Sequence, residues 1–394
     1  MQKKYDEFYS LIKPDLDASY QPVDVKNLVC SPNGHFPVDM HIHSKFSTDG
    51  YMDVNQIVSR CIENGVEYTS ITDHNSFEYI KRLRMQEKHK AHKTYFSYDG
   101  VKIFTGVEVS CKMWLSKTNN LKLHVLCYGF DTESDNILMH MISRKEQDYT
   151  RARYYSLYYL AKKDPIYQTT FTEFKNFLAE QADRQTFTGR VHYFDTLDFY
   201  LSKGIPRDKI VDDLKGFDFN NPMHDHYTID VVDLINAVHA SGGYCVIAHP
   251  TLNLERHWGL FNKHVDKDKY FMTITNKLLS VGMDGIELAN RNDAHSTIYN
   301  QIYAKSFLVS CGTDTHYFGT NSCSDIGKYH TEMNEQNIVE KLLELNNAKG
   351  AKEPTKRQLQ YTTILDQHTY IDFNPKNNNA KNKDKYNAHE RTKN

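Results

Sequence analysis

The sequence predicts an α/β fold: a parallel sheet with crossover helices, open or closed into a barrel. Three observations predict it. Seven short apolar runs recur along the chain, helix-like stretches separate several of them, and the runs end in histidine and acidic residues. With 394 residues the chain holds one large domain or two smaller ones. Apolar residues at 39% and charged residues at 25% exclude collagen-like and wholly disordered chains. A mean hydropathy of -0.66 is polar for a folded enzyme and points to solvated tails or polar insertions.

Residues 1–37 carry Pro14, Pro22, Pro32 and Pro37 and read as an N-terminal lead-in of helix and loop. Four strand-like runs follow at 38–43, 68–73, 101–110 and 121–130, and three more at 243–249, 283–288 and 307–314. Between the first two, Val54, Ile57, Val58 and Cys61 recur at helical spacing, and 231–240 repeats the pattern before the fifth run. Strand and helix in alternation give the parallel sheet. The interval 131–240 is too long for a loop and too polar for more sheet. With helical spacing across 143–163, it reads as a mostly helical insertion. Residues 331–373 read as a C-terminal helix and strand-like extension, and the Asn/Lys-rich 374–394 as a disordered basic tail.

Charge excludes some partners. Lys plus Arg number 48 against 50 for Asp plus Glu, so no global field draws the chain to nucleic acid or anionic membrane. The seven cysteines make no CxxC pair, and their number is odd. The first residues are charged without an apolar core, and no stretch approaches the roughly 20 apolar residues of a membrane span. The expectation is a cytoplasmic protein with free buried thiols and no membrane contact. No protein partner can be read from the sequence.

Twenty histidines stand out, many beside Asp or Glu at run ends. His41 and His43 close the first run two residues apart, so a strand presents both on one face. Asp49 follows in STDG, the second run ends in Asp73-His74, the third carries Glu108 and the fourth His124. The fifth ends at His249-Pro250, and the seventh yields Asp314 and His316. A lone histidine at a strand end is usually a hydrogen-bonded core group. Five separate strand-end motifs are not explained that way. Imidazole with carboxylate and no thiolate suits zinc, manganese or iron, and some nine ligands exceed one tetrahedral zinc. Two or three divalent ions sharing Glu108 as a bridge fit the count.

This ordered set resembles the PHP family, named for its polymerase and histidinol phosphatase members. The matching segments are VDMHIHSKFSTDG, SITDHN, TGVEVS, LHVLCYGF, TGRVHYFD, CVIAHP, GIELAN and CGTDTH. The resemblance implies a distorted (β/α)7 barrel over 38–130 and 241–330, with the helical insertion 131–240 after the fourth strand. It also implies a trinuclear metal centre that hydrolyses phosphoesters by attack of a metal-activated hydroxide. One ion would take His41, His43, Glu108 and Asp314, and a second would share Glu108 with His124 and His249. A third would take Asp49, His74 and His316.

Within the family the chain is similar to stand-alone phosphatases acting on nucleoside 3′,5′-bisphosphates and to 5′-3′ exoribonucleases of short RNA. That implies a phosphorylated small molecule or short oligonucleotide as substrate, with histidinol phosphate as a further option. A module whose metals only staple a binding scaffold is the non-enzymatic alternative. Arg190 and His192 would face the substrate phosphate, the first as a bidentate fork and the second as the proton donor. Asp73 would orient His74 or a nearby ligand. The subgroup's pattern departs at Val191 and at Thr251-Leu252-Asn253, so Arg256, His257 or Arg291 would supply any basic group for a second phosphate.

Overall fold

The computed structural model describes residues 28–30, 38–47, 49–85, 90–92, 94–114, 120–131, 137–181, 193–215, 217, 229–250, 267–288, 308–316, 325–327, 329–331 and 335–347. In chain order these form β1 (Leu28–Cys30), β2 (Val38–Ile42), α1 (Val54–Glu63), β3 (Tyr68–Ile71), α2 (Glu78–Met85), β4 (Lys90–Ala91), β5 (Tyr95–Tyr98), β6 (Val101–Phe104), β7 (Gly106–Trp114) and β8 (Asn120–Tyr128). Helices α3 (Ile137–Lys163), α4 (Phe171–Gln181), α5 (Tyr193–Ser202), α6 (Arg207–Leu214) and α7 (Val231–Ala240) come next. Then follow β9 (Tyr244–Ile247), α8 (Lys267–Ser280), β10 (Gly285–Leu288), β11 (Leu308–Cys311), β12 (Tyr329–Thr331) and α9 (Glu335–Asn347). The C-terminal tail 374–394 lies outside the described residues. None of the described helices is long and apolar enough to cross a membrane.

The fold is mixed α/β, with the strands in two five-stranded sheets ordered β2-β3-β6-β5-β4 and β11-β10-β9-β8-β7, and β1 paired with β12. An all-parallel sheet is corrected by the register. β2-β3-β6 and β9-β10-β11 run parallel, whereas β7-β8-β9 and β4-β5-β6 are antiparallel. The single run expected at 101–110 is two strands, because the chain changes sheets at Thr105. That residue donates its amide to Thr94 O (2.8 Å) and its hydroxyl to Phe130 O (2.9 Å), and accepts at its carbonyl from Gly129 N–H (2.9 Å). Gly106 makes the corner possible, since a Cβ there would press on Ser70 Oγ, Thr72 Cγ2 and Ile71 O.

Hydrogen bonds also join the two sheets. Ile42 bridges Thr315, with His43 N–H to Thr315 O at 2.9 Å and Asp314 N–H to His41 O at 2.8 Å. His74 bridges Glu108, with Asn75 N–H to Glu108 O at 2.8 Å. Met40, Phe104, Leu126, Tyr128, Val246 and Ala248 form a common core with Leu342 of α9. Burying each such side chain stabilises by about 1.5–3 kcal/mol, which fixes the strand ends relative to one another.

α1 covers the predicted 54–63. Its capping box is complete, with Asp53 accepting from Asn55 N–H and Gln56 accepting from Asp53 N–H. Val54, Ile57, Val58 and Cys61 form its buried face. α3 begins earlier than the expected 143, at Ile137. Its segment 153–160 is only partly core: Leu157 and Leu160 pack with Phe174 and Tyr200, while Tyr155 and Tyr158 are exposed.

Candidate metal centre

The strand ends bring the predicted residues together. His41 and His43 leave β2, Glu108 and His124 lie on β7 and β8, and His249 and Asp314 follow β9 and β11. His41, His43 and Glu108 are fully buried, while Asp49 (42%), Asp314 (28%), His124 (24%) and His316 (22%) open the cluster to solvent on one side.

Glu108 sits at the centre, and its two oxygens serve different histidines. Oε2 lies 3.2 Å from His41 Nε2, 3.2 Å from His43 Nε2 and 3.1 Å from His74 Nδ1. Oε1 lies 2.9 Å from His124 Nδ1 and 2.8 Å from His249 Nε2. Around Asp49 Oδ2, His74 Nε2 and His316 Nε2 stand at 3.4 Å each. Three overlapping groups could each hold a metal ion: His41, His43, Glu108 and Asp314; His74, Glu108 and His124; and His43, Asp49, His74 and His316. His74 and His43 thus each belong to two of these groups.

The donor set fits a cation. His41 Nδ1–H donates to Glu287 Oε1 at 2.7 Å. His43 Nδ1–H donates to Ser47 Oγ at 3.0 Å, because that hydroxyl spends its own proton on Asp49 Oδ1 at 2.9 Å. These tautomers, assigned from the hydrogen bonds, leave two Nε2 lone pairs facing each other at 3.0 Å. Asp314 Oδ1 adds further electron density at 3.1–3.2 Å from both, and this buried oxygen has no hydrogen-bond partner. Ligands of one tetrahedral ion at about 2.0–2.1 Å stand a little over 3 Å apart, as these atoms do.

Electrostatics point the same way. Burial alone would depress His43, but the Asp314 and Glu108 carboxylates outweigh it and hold it up at about 10. Glu108 is held well below its ordinary range despite burial by His74, His124 and His41. Asp314 and Asp49 are likewise depressed against their burial, Asp314 by His41 and His43, Asp49 by His316 and His74. The pocket therefore favours positive charge between these groups. One divalent ion supplies it without placing two protons 3.0 Å apart.

Two of the ligand candidates sit in the left-handed backbone region that L-residues rarely adopt, His249 at φ 22° and Asp314 at φ 53°. Both are clamped: His249 N–H donates to Glu287 Oε2 at 2.6 Å, and Asp314 N–H to His41 O at 2.8 Å. Strain of this kind persists only where surrounding structure over-determines it, and it gathers at functional sites.

A supporting layer lies outside the ligand candidates, and the sequence did not reveal most of it. Buried Glu287 touches His41 with one oxygen and the His249 amide with the other. Asp39 accepts from Thr313 N–H and Oγ–H and from the amides of Gly327 and His41, and burial raises it to about 6. Asp73's oxygens take Ser44 N–H and Ser44 Oγ–H, both at 2.6 Å, so it braces the turn after His43, a neighbouring ligand candidate. Gly50 holds that loop closed for proximity, since a Cβ would come within 2.8 Å of the Ser44 carbonyl carbon. Arg190, His192, Arg256, His257 and Arg291 lie outside the described residues.

The PHP domain model matches residues 39–185, from β2 through α4. A Thermotoga maritima protein named for histidinol-phosphatase activity is 44% identical over 41 residues, 10% of this chain and 18% of that relative. A crystal structure from Bifidobacterium adolescentis named for metal-dependent phosphoesterase activity is similar at TM-score 0.52 and 18% identity, covering 78% of this chain and 95% of the other. An amidohydrolase structure from Chromobacterium violaceum covers 78% of this chain and 96% of its own at 18% identity and TM-score 0.44.

Proposed function

We propose that this chain, which carries a PHP domain over residues 39–185, is a metal-dependent phosphoesterase hydrolysing a phosphomonoester of a nucleotide such as a nucleoside 3′,5′-bisphosphate. One observation carries the reading: both oxygens of buried Glu108 are engaged by separate histidine pairs or triplets, the arrangement of a bridging carboxylate. The two sheets are read as a distorted (β/α)7 barrel, with 131–240 as its insertion. His41, His43, Glu108 and Asp314 hold one ion, Glu108 with His124 and His249 a second, and Asp49, His74 and His316 a third. Manganese, zinc and iron all suit these donors.

Bound divalent ions supply Lewis-acid charge and a water acidified toward neutrality. The chain's own groups do the rest. Glu287 and Ser47 fix the imidazoles of His41 and His43, so no reorganisation is needed when charge develops. Asp49, His124, Asp314 and His316, on the open side, border the substrate's phosphoryl group. Arg190 binds phosphoryl oxygens as a planar fork, and His192 delivers the proton to the leaving alkoxide oxygen. Among the described residues Cys61, Cys111, Cys127, Cys245 and Cys311 are free and buried, which supports the reading of a protein kept in a reducing cytoplasm.

The Thermotoga maritima match favours histidinol phosphate as a second substrate to weigh. Phosphate release is therefore compared among adenosine 3′,5′-bisphosphate, a 5′-phosphorylated short RNA and histidinol phosphate, each with manganese. Fastest release from the bisphosphate is expected. Activity on the oligonucleotide alone would move the function to 5′-3′ exonucleolysis. Activity on histidinol phosphate alone would replace the nucleotide reading. Inertness toward every phosphomonoester would leave only the stapled binding module.

A further inference from the structure

Asn75 stands beside three ligand candidates and is not one itself. It follows His74 in the chain and is buried, at 1% exposure. Its backbone lies in the left-handed region at φ 49°, which asparagine tolerates better than most L-residues. Its side-chain amide reaches across to β7. There Ser110 N–H donates to Asn75 Oδ1 at 3.0 Å, and Asn75 Nδ2–H donates to Ser110 Oγ at 3.2 Å. A backbone amide can only donate, so this pair fixes which end of the side chain is the oxygen.

The backbone around Glu108 is gripped from the same side. Asn75 N–H donates to Glu108 O at 2.8 Å, and Glu108 N–H is shared between Thr72 O at 3.2 Å and Asp73 O at 3.3 Å. These bonds lie at the bridge between His74 and Glu108, which joins the two five-stranded sheets. Two residues further along β7, Ser110 stands directly opposite His124 in the hairpin register. One side chain thus ties the turn that presents His74 to the hairpin that presents Glu108 and His124. Those three residues form one of the candidate metal groups, with Glu108 at 3.1 Å from His74 Nδ1 and 2.9 Å from His124 Nδ1. His41, His43 and Asp314 are held by other contacts, with Glu287, Ser47 and the His41 carbonyl respectively.

We propose that Asn75 is a positioning residue: it sets where Glu108 and His124 stand relative to His74, and so governs binding of the ion that Glu108 shares with His124. The proposal rests on the metal-dependent phosphoesterase reading and deepens it. A metal ion needs its donors placed to within about 0.2 Å. Strands of different sheets joined by one backbone bridge can slide by more than that. The Asn75–Ser110 pair removes this freedom before an ion arrives, so the ligands need not reorganise around it.

In the test, wild type and Asn75→Gly are stripped with a chelator and titrated with manganese in a calorimeter. Glycine keeps the left-handed backbone accessible and removes only the amide side chain. The ion shared by Glu108 and His124 is expected to bind about 10–100-fold more weakly in the variant, while the ion held by His41, His43 and Asp314 keeps its affinity. Electron paramagnetic resonance reads the same event without turnover, because ions joined by one carboxylate couple magnetically. At manganese levels that saturate the wild type, its coupled signal should give way in the variant to that of isolated ions, and return with more metal. Phosphate release should follow the coupled signal, lost at low manganese and restored at high. Ser110→Ala, at a half-buried position, removes the hydroxyl that the amide grips and should weaken the same ion by a smaller factor. Combined with Asn75→Gly it should add little, because both act through one contact. Equal weakening of every ion, alongside a lower melting midpoint, would make Asn75 a general structural support and overturn the proposal. An unchanged coupled signal in Asn75→Gly would overturn it too, and hydrolysis by the wild type would leave the phosphoesterase reading standing in either case. A wild type that takes up no manganese, or takes it up without a coupled signal, overturns the shared Glu108 and the proposal with it.

Discussion

Glu108→Ala is expected to lower phosphate release by at least about a thousandfold at saturating manganese, because it removes the group proposed to join two ions. The loss should not be recoverable by more metal. Neutral loss of a buried carboxylate would be a smaller effect, but Glu108 touches His41, His43, His74, His124 and His249 together. Thermal melting reports the same event without turnover: the midpoint of the wild type should rise on adding manganese, and that of the variant should rise much less. Near-normal turnover in Glu108→Ala would sink the bridging role.

The second large effect is expected at a residue with no functional group. A Cβ on Gly312 would collide with the Cβ of His41, stand 2.7 Å from His41 N and 2.9 Å from Glu287 Oε1. These atoms belong to buried residues and are backbone, a Cβ fixed to it or a clamped carboxylate oxygen, so none can yield. Gly312→Ala should cost about 1–3 kcal/mol of stability by overpacking. By shifting His41 away from Glu287 it should also weaken metal binding by about 10–100-fold, the range for damage to a ligand's supporting contacts. Chemical denaturation and a manganese titration of the same variant read the two effects separately. Unchanged values in both would show that the close approach of Gly312 to His41 is not required.

The sequence was most informative where one residue type recurs at strand ends. His41, His43, Glu108 and Asp314 converge in the structure because two parallel strands end there and a hairpin begins, and strand termini are readable from apolar runs. The supporting layer was harder to read. Glu287 sits in GIELAN as one acidic residue inside an apolar strand, and only the three-dimensional register places its oxygens on His41 and the His249 amide. Asp39 precedes the HxH and reads as part of the strand, yet three of its four hydrogen bonds tie β2 to Thr313 and Gly327 across the fold.

Strand direction was not legible either. Apolar runs carry no sign of whether a neighbour runs parallel, so the β7–β8–β9 antiparallel stretch emerged only from pairing. The division of 101–110 at Thr105 is invisible to periodicity, because the alternation continues through the corner. The short β4 and β5 strands lie in a polar segment, KAHKTYFSY, whose composition resembles a loop. The long helical α3–α6 region was visible as helix, though its start was misplaced by several residues, as fraying boundaries commonly are.

The most direct test of the account is a count of metal. Protein stripped with a chelator is titrated with manganese in a calorimeter, and the same sample is assayed for phosphate release from adenosine 3′,5′-bisphosphate after each addition. Two or three ions per chain, with activity appearing only as those sites fill, is the predicted result. Saturation with no bound manganese, or full activity in the stripped protein, would contradict it.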